Sequence, residues 1–237
     1  MFVNNYLSKN PFFDAYYNAD LFGKLIFVLL ITSSILSWIL IGYKFLQMRR
    51  AKMQSKQFRH NFQKNLKNPL SIPRRNDANE IPFYNLYLGV KKLALDLLNK
   101  NQHFGTQENA YLTSADADFI DAKIRSLIGN QIRTLEKNLY ILSTITGLSP
   151  LLGLLGTVWG ITTTFANMQG ASHGLNHTML GGLSLALTTT VLGLLTAIPA
   201  LIAYNYLKNS LLRFETEMDD FASDILTSIE LQYRKVE

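Results

Sequence analysis

The 237-residue chain contains no cysteine. That excludes a disulfide framework and any thiolate nucleophile or metal ligand, while saying little about compartment. Charge is missing from one long stretch. Asp, Glu, Lys and Arg are all absent from Asn138 to Leu207, although charge is ordinary on both sides. Such a run is far too long for one buried helix, since a bilayer core takes about 20 apolar residues per helical crossing. Phosphate-loop, Gly-x-Gly-x-x-Gly and metal-ligand spacings are absent as well, and no nucleophile stands in a pattern with a base. The chain therefore reads as non-enzymatic, with no cofactor and no metal. His173 and His177 lie four apart but have no carboxylate or cysteine nearby, and read as surface histidines.

The charge-free run has a polar interruption in its middle, from Asn167 to Thr178. It divides into a span at 138–166, a short loop at 167–177 and a span at 178–207. A further uncharged stretch, Leu25 to Tyr43, sits between Lys24 and Lys44. As a helix it covers about 28 Å, enough for the hydrocarbon core. It is too long for a typical signal peptide, and basic residues rather than a small-x-small cleavage site follow it, so it reads as an anchor at 25–43. Between Lys44 and Arg75 there are ten Lys or Arg residues and no acidic one. The first 24 residues balance Lys9 and Lys24 with Asp14 and Asp20, the 167–177 loop has no Lys or Arg, and Lys208 and Arg213 follow the last span. The positive-inside rule places segment 1–24 and loop 167–177 outside, and segments 44–137 and 208–237 in the cytoplasm. The net charge of +6 is mostly topological. The basic cluster directly after a span suits anionic lipid headgroups rather than nucleic acid.

Aromatic residues crowd the first 20 positions (Phe2, Tyr6, Phe12, Phe13, Tyr16, Tyr17), as in a short interfacial helix. Residues 44–68 read as a continuation of the first spanning helix. Pro69, Pro73 and Pro82, with Arg74 to Asp77 between them, mark a turn or linker. Tyr84 to Asn99 reads as an amphipathic helix with Leu86, Val90, Leu93 and Leu97 on one face. A helix start at Ser114 to Asp116 leads into a stripe at Ile120, Ile124, Leu127, Gln131, Leu135, Leu139 and Leu142. The pattern predicts one helix from about Ala115 to Thr164, about 75 Å long, with its first half in the cytoplasm. After the last span, Leu207, Leu211, Phe214, Met218, Phe221, Ile225 and Ile229 follow a nearly heptad spacing. These stripes suit a bundle within one subunit, and equally packing between subunits.

Spanning helices associate through small residues and interhelical hydrogen bonds, because leucine gains little by leaving lipid. Gly153, Gly156 and Gly160 in the second span, and Gly182, Ala186, Gly193 and Ala197 in the third, supply such faces. Pro150 and Pro199 interrupt the backbone ladder and are expected to kink their helices where they enter and leave the membrane. Thr157, Thr162 to Thr164 and Thr188 to Thr190 put hydroxyls on several faces. A membrane threonine usually bonds its own backbone, so both plain packing and a hydrated path stay open.

The segment Pro150-Leu-Leu-Gly-Leu-Leu-Gly-Thr-Val-Trp-Gly-Ile161, then Gly182-Leu-Ser-Leu-Ala-Leu-Thr-Thr-Thr-Val-Leu-Gly-Leu194 and Ala197-Ile-Pro-Ala-Leu-Ile-Ala-Tyr-Asn205, closely resembles the ExbB/TolQ proteins of Gram-negative bacteria, which belong with the MotA flagellar stator subunits. The match runs over roughly 132–205; residues 1–110 carry no comparable signature. The resemblance implies an all-α, three-span inner-membrane protein with long cytoplasmic helical extensions and with loops 1–24 and 167–177 in the periplasm. It further implies a pentameric ring around the single-span helices of an ExbD- or TolR-like partner. Proton flow through such a ring energises a TonB- or TolA-like protein, for import or for Tol–Pal envelope maintenance. By position, Thr157 and Thr190 match pore-facing threonines. Leu185 stands where the family typically has a glutamate. Either the partner's Asp is then the only titrating group, or the ring conducts poorly; the intact threonine and proline framework favours the first. The alternative function is a non-conducting scaffold for a single-span partner. These motifs are shared by ExbB and TolQ and do not choose between them.

Overall fold

The computed structural model describes residues 11–64, 69–72, 81–104, 111–169 and 177–233. Phe2 and Tyr6, the 73–80 linker and residues 170–176 with His173 lie outside them. Six helices are described: α1 (Pro11–Asn18), α2 (Leu21–Lys64), α3 (Pro82–Phe104), α4 (Ser114–Glu136), α5 (Leu139–Gln169) and α6 (His177–Tyr233). Three of them, α2, α5 and α6, are long and apolar enough to cross a membrane. The chain divides into two compact units, residues 1–44 with 138–206 and residues 45–137 with 207–237.

In the first unit, Ala15 of α1 is buried, as are Ile26, Phe27 and Leu30 of α2, and Tyr16 of α1 meets Phe27. From α6, Leu185, Ala186, Thr189, Ala197 and Ala200 are buried too. The opposite faces carry large apolar side chains outward, among them Leu151, Leu154 and Val158 on α5 and Leu187, Leu194 and Ile198 on α6. Apolar surface of this extent is what lipid, rather than water, solvates.

The second unit has an aromatic centre. Phe221 of α6 stacks on Phe83 of α3, with centroids 4.8 Å apart at 11°. Phe58 and Phe62 of α2 meet Phe221 edge-on at 5.9 and 5.3 Å. All seven residues of the heptad stripe from Leu207 to Ile229 are buried within this one chain. A bundle inside the subunit therefore already uses that face. On α3 the buried line is Phe83, Leu86, Tyr87, Val90, Ala94 and Leu98, with Leu93 and Leu97 only half-buried. The helix is also longer than Tyr84–Asn99, because Pro82 serves as its first residue, where a missing N–H is harmless.

Two expectations need correction. The single helix from Ala115 to Thr164 is two helices. Lys137 leaves the helical region (φ −46°, ψ 133°) and Asn138 adopts φ 69°. Asn tolerates this left-handed conformation better than other side chains. The Lys137 N–H still bonds the Arg133 carbonyl at 3.0 Å, and α5 restarts at Leu139. Nothing in the apolar spacing signals the break, since Leu135, Leu139 and Leu142 are buried on both sides of it. The stripe on α4 is also offset: Ala117, Ile120, Ile124, Ile128, Ile132 and Leu135 are buried, while Leu127 and Gln131 are half-buried. Gln131 is thus no exception in the core; Ile132 takes that place. The α4 start is a capping box built on Thr113, which exchanges hydrogen bonds with Asp116. Asp116 also accepts from Asn101 Nδ2 at 2.8 Å. Burial pulls the Asp116 carboxyl up, but the Thr113 and Asn101 donors and the nearby Lys100 charge outweigh it and hold it below its usual range.

Candidate functional site: an interlocked glycine and threonine seam

Helices α5 and α6 run antiparallel with their backbones in near contact. A Cβ placed on Gly193 would stand 2.6 Å from the Ser149 carbonyl oxygen. On Gly153 it would be 3.0 Å from the Thr189 carbonyl and 3.1 Å from the Thr190 Cα. On Gly156 it would collide with the Thr189 side chain, and on Gly160 it would lie 2.6 Å from the Gly182 carbonyl and 2.9 Å from the Ala186 Cβ. On Gly182 it would strike Thr164 Oγ1. Each glycine thus admits a specific part of the opposite helix. Ala197, 6 % exposed, lies one turn beyond Gly193.

The hydroxyls divide into two kinds. Thr157, Thr162, Thr163 and Thr164 donate to carbonyls of their own helix, Thr157 to Leu154 at 2.6 Å. Thr190 donates across the seam to the Gly153 carbonyl at 3.2 Å, with the Ala186 carbonyl of its own helix at 3.5 Å. Thr157 and Thr190 are not bonded to each other among the described residues. Thr189, which sequence reasoning did not single out, is fully buried in the notch left by Gly156. Its Oγ1, with one proton to donate, has the Ala186 and Leu185 carbonyl oxygens at 3.0 and 3.1 Å and the Gly153 carbonyl oxygen at 3.5 Å.

Pro150 and Pro199 both lie inside helices that continue past them. Each lacks an N–H, so the carbonyls of Thr146 and Leu195 lose their usual helical donors. Beside the first of these prolines, the Ser149 hydroxyl is buried without a hydrogen-bond partner among the described residues.

Leu185 packs toward α2. It is 2 % exposed and packs with Ala19 and Phe27, and a Cβ on Gly23 would come within 2.5 Å of its Cδ2. One contact went unforeseen. Asp20 caps α2 by accepting from the Gly23 N–H at 3.0 Å, and its other oxygen accepts from Trp159 Nε1 of α5 at 2.7 Å. The Trp159 ring also meets Phe22 at 4.5 Å. A carboxylate thus reaches the seam helices from outside the charge-free run. The available signals were an indole N–H inside an apolar stretch, which needs an acceptor, and an Asp just before a helix start.

A comparison with protein-family models matches residues 95–220 to the MotA/TolQ/ExbB proton channel family. The chain belongs to that family. Among similar proteins, the Tol-Pal system protein TolQ of Haemophilus influenzae is 28% identical over 230 residues, covering 93% of this chain and 94% of that protein. TolQ of Pseudomonas aeruginosa is 29% identical over 188 residues, 79% of each. The biopolymer transport protein ExbB of Neisseria meningitidis is 27% identical over 202 residues, 84% of this chain and 88% of that protein. The chain is thus a multi-pass membrane protein of the MotA/TolQ/ExbB family, and the family match takes in the whole of the glycine and threonine seam.

Proposed function

We propose that this protein is the ring-forming subunit of an inner-membrane motor driven by the proton-motive force, of the ExbB–ExbD or TolQ–TolR type. In this reading five copies surround the single-span helices of an ExbD- or TolR-like partner. The N-terminus and the 167–177 loop are periplasmic, and residues 44–137 and 208–237 are cytoplasmic. The ring passes its work to a TonB- or TolA-like protein. The observation that carries the reading is the α5–α6 seam: two helices in backbone contact, without a charged side chain, presenting threonine hydroxyls between them.

A proton path needs titratable groups or hydroxyl-supported water. With Leu185 packed against Phe27, and Asp20 held by the Gly23 and Trp159 N–H groups, the α5–α6 interface itself offers only hydroxyls, and Thr157 and Thr190 are the proposed donors and acceptors. A carboxylate on the partner helix then takes up and releases the proton. Protonation removes its charge and lowers the cost of placing it in an apolar ring, which frees the partner to move. Each charge crossing supplies about 2.3 kcal/mol per 100 mV, severalfold thermal energy.

Thr157→Val and Thr190→Val keep side-chain shape and remove the hydroxyls. The double variant is expected to assemble normally and to lose proton-dependent function in cells. Full function in an assembled double variant would favour the second reading, a non-conducting scaffold, which Leu185 supports. A single-span protein that co-purifies and carries a membrane Asp would argue for the motor.

A further inference from the structure

Away from the seam, the first unit contains an apolar slot of about 590 Å³. Phe12 and Tyr16 of α1 form one wall, Phe27 and Ile31 of α2 a second, and Leu192 and Leu195 of α6 a third. The slot is open along its side: Ile31 is 42% and Leu195 59% exposed. Its residues descend along α2 from the level of Tyr16, which meets Phe27 at 5.5 Å, to Ile31. From Lys24 to Ile31 that is about 10 Å of helix.

Among the described residues, a cation marks one end. Lys24 Nζ stands 5.9 Å above the Tyr16 ring, at the α1 rim. The nearest acid in sequence, Asp20, is engaged elsewhere by the Gly23 and Trp159 N–H groups. The site therefore combines a charged rim with an apolar shaft that runs into the span. An unfilled shaft would forfeit dispersion contacts on every wall.

We infer that this slot is a lipid site, holding one acyl chain of an anionic phospholipid whose phosphate meets Lys24. Its cation, Lys24, precedes the apolar 25–43 stretch, so this rim is distinct from the basic 44–75 segment that follows that stretch. It rests on the bilayer setting of the family and not on proton conduction. The hydrocarbon walls accept any acyl chain; Lys24 supplies the choice of headgroup.

The experiment reconstitutes the full-length protein in nanodiscs of equal dioleoylphosphatidylglycerol and dioleoylphosphatidylcholine. p-Benzoylphenylalanine at Leu195, on the slot wall, captures its neighbour on illumination, and intact mass identifies the adduct. Phosphatidylglycerol adducts should exceed phosphatidylcholine adducts about fivefold, the selectivity one basic residue gives near a surface. Lys24→Gln should bring the ratio to about one. Leu192→Trp, which fills the shaft, should cut the number of lipids retained in native mass spectrometry, a count that needs no photoprobe. Equal adducts in the wild type, or a ratio unmoved by Lys24→Gln, would overturn the assignment. So would crosslinks to a second copy of the chain in place of lipid, which would make the slot a subunit interface.

Discussion

Gly160 is a residue at which one added methyl group should do harm. The obstacle there is the Gly182 backbone carbonyl, which cannot rotate away, whereas at Gly129 the nearest atom is the end of the Arg133 side chain at 3.8 Å. Gly160→Ala should cost about 1–3 kcal/mol by overpacking, and Gly129→Ala should gain about 0.5–1 kcal/mol from helix propensity. Thermal unfolding in mild detergent would separate the two; equal shifts would mean that the seam is looser than described. Gly160→Leu should go further and reduce the subunit number seen by native mass spectrometry. At Trp159, substitution by Phe removes the donor to Asp20 but leaves the Gly23 N–H on that carboxylate. The loss should be modest, about 1 kcal/mol, because the bond is exposed. The glycine faces are visible in the sequence because small residues every third or fourth position have few other uses in a membrane. Thr189 is not, because three adjacent threonines look alike until the opposite helix selects one. The Asp20–Trp159 bond joins residues 139 apart, a separation that no local pattern encodes.

The elements of the second unit depend on the aromatic centre far more than on charge. The Arg59–Asp224 pair is 2.8 Å long but both side chains are about a third exposed, so Asp224→Asn should cost under about 1 kcal/mol. Phe221→Ala removes a fully buried ring and should cost about 3–5 kcal/mol. A reversed order in chemical denaturation would refute that weighting. Tyr87 gives the unit an alkaline signature. Burial chiefly, with a small addition from Tyr84 and a partial offset from the Ile72 backbone, pushes its phenol from 10.0 to about 12. Its hydroxyl donates to the Pro69 carbonyl at 2.8 Å. An unfolded chain loses that proton near pH 10 while the folded one keeps it, so stability should fall as pH rises from 10 to about 12. Tyr87→Phe should flatten that part of the profile. The heptad stripe of α6 is legible because its spacing admits one buried line. On α4 two lines fit the spacing, through Leu127 and Gln131 or through Ile128 and Ile132, and only tertiary packing decides. The break at Asn138 is illegible because one left-handed residue leaves the apolar register intact. Asn138→Val should destabilise by about 1–2 kcal/mol and Asn138→Gly hardly at all.

For the whole molecule, the distribution of charge carries the topology. Cysteines introduced singly within residues 50–75 should resist an impermeant thiol reagent on intact spheroplasts, and Ser172→Cys should react; the reverse pattern would invert the proposed orientation. Three apolar helices and their order were readable because lipid imposes length and excludes charge, both of which are written in composition. The aromatic bundle was not, because its partners come from three distant segments, around residues 58, 84 and 221. The joint at Asn138 has a mechanical meaning. The chain passes between its two units at three places, and at residues 44–45 and 206–207 the passage lies within unbroken helix. An intact α-helix resists bending along its length, so flexure imposed on one end of α2 or α6 is felt at the other. Two consecutive non-helical residues, Lys137 and Asn138, break that continuity. Flexure of α5 is therefore interrupted at that joint, whereas α2 and α6 each bend as one continuous rod.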